Sequence, residues 1–193
     1  MGYEGLRGVT SPVNPGLGGN VHQGDPFSFS PRVWTYLVHR FGVKSVLDVG
    51  CGEGHAAKYF SSVLGCITLA MDGLRENLDG AVYPIIVHDL RKVAFVTKVD
   101  LVHCVEVAEH LEAEFVDNLF MTFSAGRVLS MTHAVPGQDG HHHVNCQSTD
   151  YWRDNAARFG FSLAAEDTRR VRELAEQDGA LHFQKTGLVF TKV

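Results

Sequence analysis

The ten residues Ser45 to Gly54, SVLDVGCGEG, constrain this chain more than any other stretch. Val46, Leu47 and Val49 make a short apolar strand with Asp48 near its end. The chain then turns through Gly50-Cys51-Gly52-Glu53-Gly54 into HAAKYFSSVL, where Ala56, Phe60, Val63 and Leu64 fall on one helical face and Gly65 stops the helix. Strand, glycine turn and helix together present bare backbone N–H groups and a helix N-terminus to a ligand. Glycines accept positive φ and leave no Cβ in the way of the approaching group.

Around this unit the pattern alternates. Residues 1–29 are rich in Gly, Pro, Ser and Asn without periodicity, which predicts a loop or arm. Ser30-Pro31 opens a helix over 31–41, with Val33, Trp34, Leu37 and Phe41 at helical spacing and Gly42 after it. Further strands are expected at 66–71, 82–87, 100–105 and 127–132, with Pro84 a poor fit to a central strand. The segments joining the second, third and fourth strands are too short for full crossover helices. From Glu106 the pattern turns helical, with Leu111, Phe115, Leu119 and Phe123 every four residues. Ser148 or Thr149 caps a helix with Trp152, Ala156 and Phe159 on one face. Two last strands, 161–165 and 181–192, flank a charged helix at 167–176. Strands alternating with helices predict an α/β fold, a mostly parallel sheet with helices on both faces. Residues 30–193 form one domain without an internal repeat, preceded by the arm.

Composition narrows the classes of partner. The chain has 193 residues, 45% hydrophobic and 20% charged, which suits one core. The formal net charge is −5 and the densest basic spot is Arg169-Arg170 with Arg172, so a surface that neutralises many nucleic-acid phosphates is not expected. No apolar run is long enough to span a membrane. Cys51, Cys66, Cys104 and Cys146 lie far apart with no CxxC pair, which suits a reducing, cytoplasmic compartment.

In a parallel sheet, ligands bind outside the carboxyl ends of the strands. The polar residues there are Asp48 with its glycine turn, Asp72, His88-Asp89, Glu106 and His133. Asp72 lies 20 residues after Gly52, where an acidic side chain can accept both hydroxyls of a ribose. A nucleoside-bearing cofactor is implied. The glycines run G-x-G-x-G, and His55 stands where a dinucleotide fingerprint needs its third glycine. VLDVGCGEG instead resembles the first motif of class I S-adenosylmethionine-dependent methyltransferases. LAMDG with Asp72, VHDL with Asp89 and Leu90, and DLVHCVEVAEHL resemble that family's later motifs in order, over roughly residues 30–193. The resemblance implies a single Rossmann-like domain, with a seven-stranded, mostly parallel sheet and reduced crossover helices. It also implies S-adenosylmethionine bound by Asp48, Gly50, Cys51, Gly52, Gly54, Asp72, Gly73, Asp89, Leu90, Val105 and Glu106.

A second constellation follows the fourth strand. On a helix Glu106, Glu109 and His110 (i, i+3 and i+4) share a face, and His141, His142 or His143 offers a further imidazole. Two carboxylates and imidazoles suit Mg²⁺, Mn²⁺, Fe²⁺, Co²⁺ or Zn²⁺. The expected metal set is Glu106, Glu109, His110 and His143, and the expected catalytic set His110, His143 and Glu109. This E-x-x-E-H string is similar to those of small-RNA 2′-O-methyltransferases and ubiquinone-pathway O-methyltransferases, though many relatives with it bind no metal. In the metal-free alternative Glu109 caps the helix and His110 lines the substrate cleft. The expected activity is O-methylation of a hydroxyl on a small molecule or glycan. The alternatives are an RNA 2′-O-methyltransferase, a non-catalytic S-adenosylmethionine-binding module and a nicotinamide-dependent oxidoreductase. Part of the arm, with His22, Gln23 and Asp25, is expected to fold over the cofactor as a lid.

Overall fold

The computed structural model describes residues 6–11 and 17–193, so the loop or arm expected over 1–5 and 12–16 lies outside the described residues. In chain order the elements are β1 (Val9–Thr10), β2 (Val21–His22), α1 (Pro31–Phe41), β3 (Ser45–Val49), α2 (His55–Ser62), β4 (Ile67–Asp72) and β5 (Ile86–Val87). There follow β6 (Leu101–Cys104), α3 (Val116–Phe123), β7 (Val128–Met131), α4 (Thr149–Arg158), β8 (Phe161–Leu163), α5 (Ala165–Asp178), α6 (Leu181–Thr186) and β9 (Leu188–Lys192). β1 and β2 pair antiparallel within the arm. The other strands form one seven-stranded sheet in the order β5-β4-β3-β6-β7-β9-β8. β9 runs antiparallel to both its neighbours, and every other pair is parallel. This is the α/β, Rossmann-like architecture that the alternating pattern predicts.

Alternation along each strand builds two cores. Leu47, Val102, Leu129 and Phe190 lie in register across four strands and pack under α3 and α4. Val46, Leu101 and Val128 point to the opposite face, where α1, α5 and Phe60 of α2 cover them. One row is polar: Asp48, His103 and Ser130 sit side by side on β3, β6 and β7, all buried. The Trp34 indole N–H donates to His103 Nε2 at 3.1 Å, which leaves the Nδ1 proton for Ser130 Oγ at 3.4 Å.

Several boundaries differ from the sequence expectation. The third strand shrinks from 82–87 to Ile86–Val87, because Pro84 has no N–H to give the ladder. A 3-10 turn at Arg75–Leu78 replaces the β4–β5 crossover helix, and no helix joins β5 to β6. Val63 is 58% exposed, and the buried face of α2 is Ala57 and Phe60. Residues 181–192 are not one strand: Leu181–Thr186 is α6, Gly187 ends it, and only Leu188–Lys192 pairs. The helix expected from Glu106 is broken into 3-10 turns at Ala108–His110 and Ala113–Phe115 before α3 begins. Ser30 makes no side-chain cap to α1; Asp178 of α5 accepts the Arg32 N–H at 2.8 Å instead. Among the described residues no helix is long and apolar enough to cross a membrane.

His103 has a consequence for acid stability. Burial pushes its pKa from 6.5 down to about 3, so the folded protein keeps it neutral. Unfolded chains take up that proton near 6.5, hence this group leaves stability unchanged above that pH and lowers it as pH falls toward 3. Urea midpoints between about pH 7 and about pH 5 are expected to fall more steeply for the wild type than for His103→Gln, whose amide can still accept from Trp34. Parallel slopes would contradict a buried neutral imidazole.

Candidate cofactor and metal site

At the carboxyl edge of the sheet two adjoining cavities, of about 120 and 280 Å³, meet at the glycine turn. Gly50, Gly52, Glu106 and His110 border both. The smaller lies over Asp72, Gly73, Asp89 and Leu90. Asp48, Cys51, Val105, His141 and His143 border the larger. Gly54 borders neither, and it serves the turn instead: it precedes α2 at φ 86°, and a Cβ there would lie 2.9 Å from Tyr83. Gly50 likewise answers packing, since a Cβ would meet Val107. Gly52 is the glycine that opens toward a ligand: φ is +54° and nothing stands within 4 Å of its Cβ position.

The carboxylates of this edge are held differently. Asp72 accepts the Gly52 and Leu74 N–H groups, each at 2.8 Å, and keeps lone pairs for a further donor pair. Burial raises its pKa. Asp48 is buried, with one oxygen unpartnered; burial first, then the nearby Asp72 charge, lifts its pKa to about 7 despite the Ala57 N–H. Asp89 is forked to Arg91 by two bonds of 3.0 Å, which lowers its pKa and leaves it less free to bind a base than the sequence suggested.

Glu109, His110 and His143 each place a ligand atom within 4.8 Å of the others. Glu109 is fully buried, and neither carboxylate oxygen has a hydrogen-bond partner. Its pKa is driven well up, first by burial and then by the Glu106 carboxylate. The imidazoles are oriented from behind: His110 Nδ1 faces the His142 carbonyl at 3.2 Å and His143 Nδ1 the Gln138 carbonyl at 3.3 Å. Each carbonyl fixes the Nδ1–H tautomer and leaves a bare Nε2 lone pair, the form that binds metals. Burial lowers His110 to about 4, so it is neutral at physiological pH. An orphaned carboxylate facing two bare imidazole nitrogens fits a divalent cation. Glu106 is outside that three-residue group, although its carboxylate lies against Glu109. It sits at φ +56°, accepts the Thr132 hydroxyl at 3.0 Å and faces His182 Nδ1 at 3.1 Å. His141 borders the larger cavity, whereas His142 contributes its backbone carbonyl.

No curated protein matches the chain by sequence. Residues 47–123 match the family model described as a methyltransferase domain. Magnesium protoporphyrin IX methyltransferase from Synechocystis PCC 6803, solved with bound SAH, has a TM-score of 0.60 at 17% identity, over 83% of this chain and 80% of that one. The fold is that of the class I methyltransferases. The methyltransferase domain of bacterial CtHen1-C follows with 0.59 at 16% identity, covering 84% and 97%. PKMT2 from Rickettsia typhi gives 0.56 at 9% identity over 87% of this chain, which spans about half (53%) of that protein.

Within this methyltransferase fold, Thr132 and His182 escaped the sequence reading, whereas the arm, expected as a lid, does border the site. Leu17, Gly18 and Gly19 of the arm border the smaller cavity, where Gly18 lies so close that a Cβ would be 2.5 Å from the His110 ring. Thr132 holds Glu106 through both backbone and side chain. His182 lies on α6, a segment whose alternation mimics a strand. Burial disfavours the charged forms of His182 and Asp25, yet their contact outweighs it: His182 is raised and Asp25 lowered.

The cation fit is directly measurable. Equilibrium dialysis against Co²⁺ or Mn²⁺ is expected to give one ion per chain, weakened about tenfold or more in Glu109→Gln and in His143→Ala. Unchanged uptake in both variants would remove this cluster as the site.

Proposed function

We propose that the chain is an S-adenosylmethionine-dependent methyltransferase that methylates a hydroxyl oxygen of a small-molecule or glycan acceptor with help from a divalent cation. The observation that carries the reading is the juxtaposition of the cavity around Asp72 with the buried Glu109 beside two imidazoles whose Nε2 lone pairs are bare. Asp72 would take the ribose hydroxyls, Gly73, Asp89 and Leu90 would border the adenosine, and the Gly50–Gly52 turn with Asp48 and Cys51 would take the methionyl end. Val105 and Glu106 would border the same ligand from just past β6. When bound, S-adenosylmethionine supplies an already activated methyl group, which leaves the chain to position the acceptor and dispose of a hydroxyl proton.

Glu109, His110 and His143 would hold the cation, which would lower the pKa of a coordinated hydroxyl. In that role their Nε2 lone pairs are occupied, so neither histidine also acts as general base. In a metal-free version, with His110 or His143 as base, Glu109 would stay a buried neutral carboxylic acid, because burial and the Glu106 carboxylate drive its pKa well up. Among the described residues neither cavity is bordered by Lys or Arg, which favours an acceptor without phosphates over the RNA reading. Folding of arm residues 17–29 over the cavities would exclude water from the transfer.

Two experiments test this. Transfer of labelled methyl to a panel of catechols and sugars is expected to fall on chelation with EDTA and to return with added cation. A rate indifferent to EDTA would eliminate the cation's part. Calorimetry with S-adenosylmethionine is expected to show tighter binding at about pH 8 than at about pH 6, since Asp48 ionises near 7 and then attracts the ligand's cationic end. Asp48→Asn should flatten that dependence, and absence of binding at both pH values would sink the proposal.

A further inference from the structure

His182 spans two parts of the molecule that are far apart in sequence. Its Nδ1 lies 3.1 Å from Glu106 Oε2, just past β6, and its Nε2 lies 3.4 Å from Asp25 Oδ2 in the arm. Both carboxylates are themselves held. Asp25 accepts the Phe27 N–H at 2.9 Å and the Ser28 hydroxyl at 2.5 Å. The Thr132 hydroxyl donates to Glu106 Oε1 at 3.0 Å, and the Glu106 N–H donates to Thr132 Oγ1 at 2.8 Å. The His182 N–H also reaches the Phe27 carbonyl at 3.5 Å, and the two rings meet edge to face at 6.3 Å. One short helix thus grips the arm by side chain, backbone and ring together.

The gripped segment is the one that covers the site. Leu17 packs where a Cβ on Gly73 would lie 2.8 Å from its Cδ1, and a Cβ on Gly19 would strike Leu74. Asn20, Val21, Asp25 and Phe29 border the larger cavity. A nucleoside-sized ligand therefore reaches Asp72 past this segment. Glu106 has a second reason to need support, because its left-handed backbone persists only where its surroundings over-determine it.

We infer that His182 is a positioning residue: by bridging Asp25 and Glu106 it clamps residues 17–29 over both cavities and fixes the Glu106 carboxylate at their common border. That the clamped cavities take S-adenosylmethionine rests on the function proposed above; the clamp itself does not. With the arm held, ligand exchange requires release of this bridge, so His182 sets how fast the site opens.

The test is amide hydrogen exchange of residues 17–29 in ligand-free protein, with β3 and β6 as internal references. His182→Ala and Asp25→Ala are each expected to speed exchange across the arm by about tenfold while the reference strands stay protected. The double variant should fall short of the sum of the two single effects, because the His182–Asp25 contact is lost in both. His182→Lys, which offers an N–H donor of comparable reach, should recover part of the protection, and His182→Phe, which only fills the space, should not. Arm exchange at the wild-type rate in His182→Ala, or full additivity in the double variant, would overturn the clamp. Should His182→Ala fail to fold, Asp25→Asn on the arm reads the same contact. Where S-adenosylhomocysteine binds, its dissociation should quicken in step with arm exchange; where it does not bind, the exchange result still decides for or against the clamp.

Discussion

The site depends on three parallel strands that finish level with one another. Val49 pairs with Met71 on one side and with Cys104 on the other, so β3, β4 and β6 deliver their next residues to one edge. Those residues are the glycine turn, Asp72 and the Val105-Glu106 step. A one-residue slip would send each side chain to the opposite face of the sheet. The apolar rows Leu47-Val102-Leu129-Phe190 and Val46-Leu101-Val128 oppose that slip, because a shift would move each row to the other face and away from the helices it packs against. Packing far from the edge thereby sets the geometry of the polar groups on it.

Those polar groups are held at a cost. Asp48, Asp72 and Glu109 are all buried, and desolvation raises the pKa of each. A chain selected for stability alone would fill these positions with apolar side chains. The Gly52 and Leu74 N–H groups hold Asp72, the Ala57 N–H faces Asp48, and Glu109 lies against the Glu106 carboxylate.

Much of this was legible in the sequence because it is local. The succession of strands along the chain, the turn after Asp48, Asp72 at its spacing and the missing crossover helices all follow from short-range pattern, and the sheet has the expected seven strands. Ambiguity arose where two periodicities fit the same residues. LHFQKT reads as an alternating strand but folds as α6, because Phe183 and Thr186, one helical step apart, both turn inward. Glu106, Glu109 and His110 suit a helix face, yet the positive φ at Glu106 turns its carboxylate toward Thr132 and His182. The partnership of Asp25 with His182 could not be read at all: the contact is long-range, and neither residue carries a local signature.

The break in the helix after β6 shapes what surrounds it. Because only Ala108–His110 is coiled there, the backbone carbonyl of Glu109 is free to accept two N–H groups at 3.0 Å, from Val144 and Asn145. The histidine-rich loop is thus stitched to the same residue whose carboxylate faces His110 and His143. Main chain and side chain of Glu109 act as a hinge pin and a socket at one point. A continuous helix would have spent that carbonyl internally and left the loop, with its imidazole, to wander.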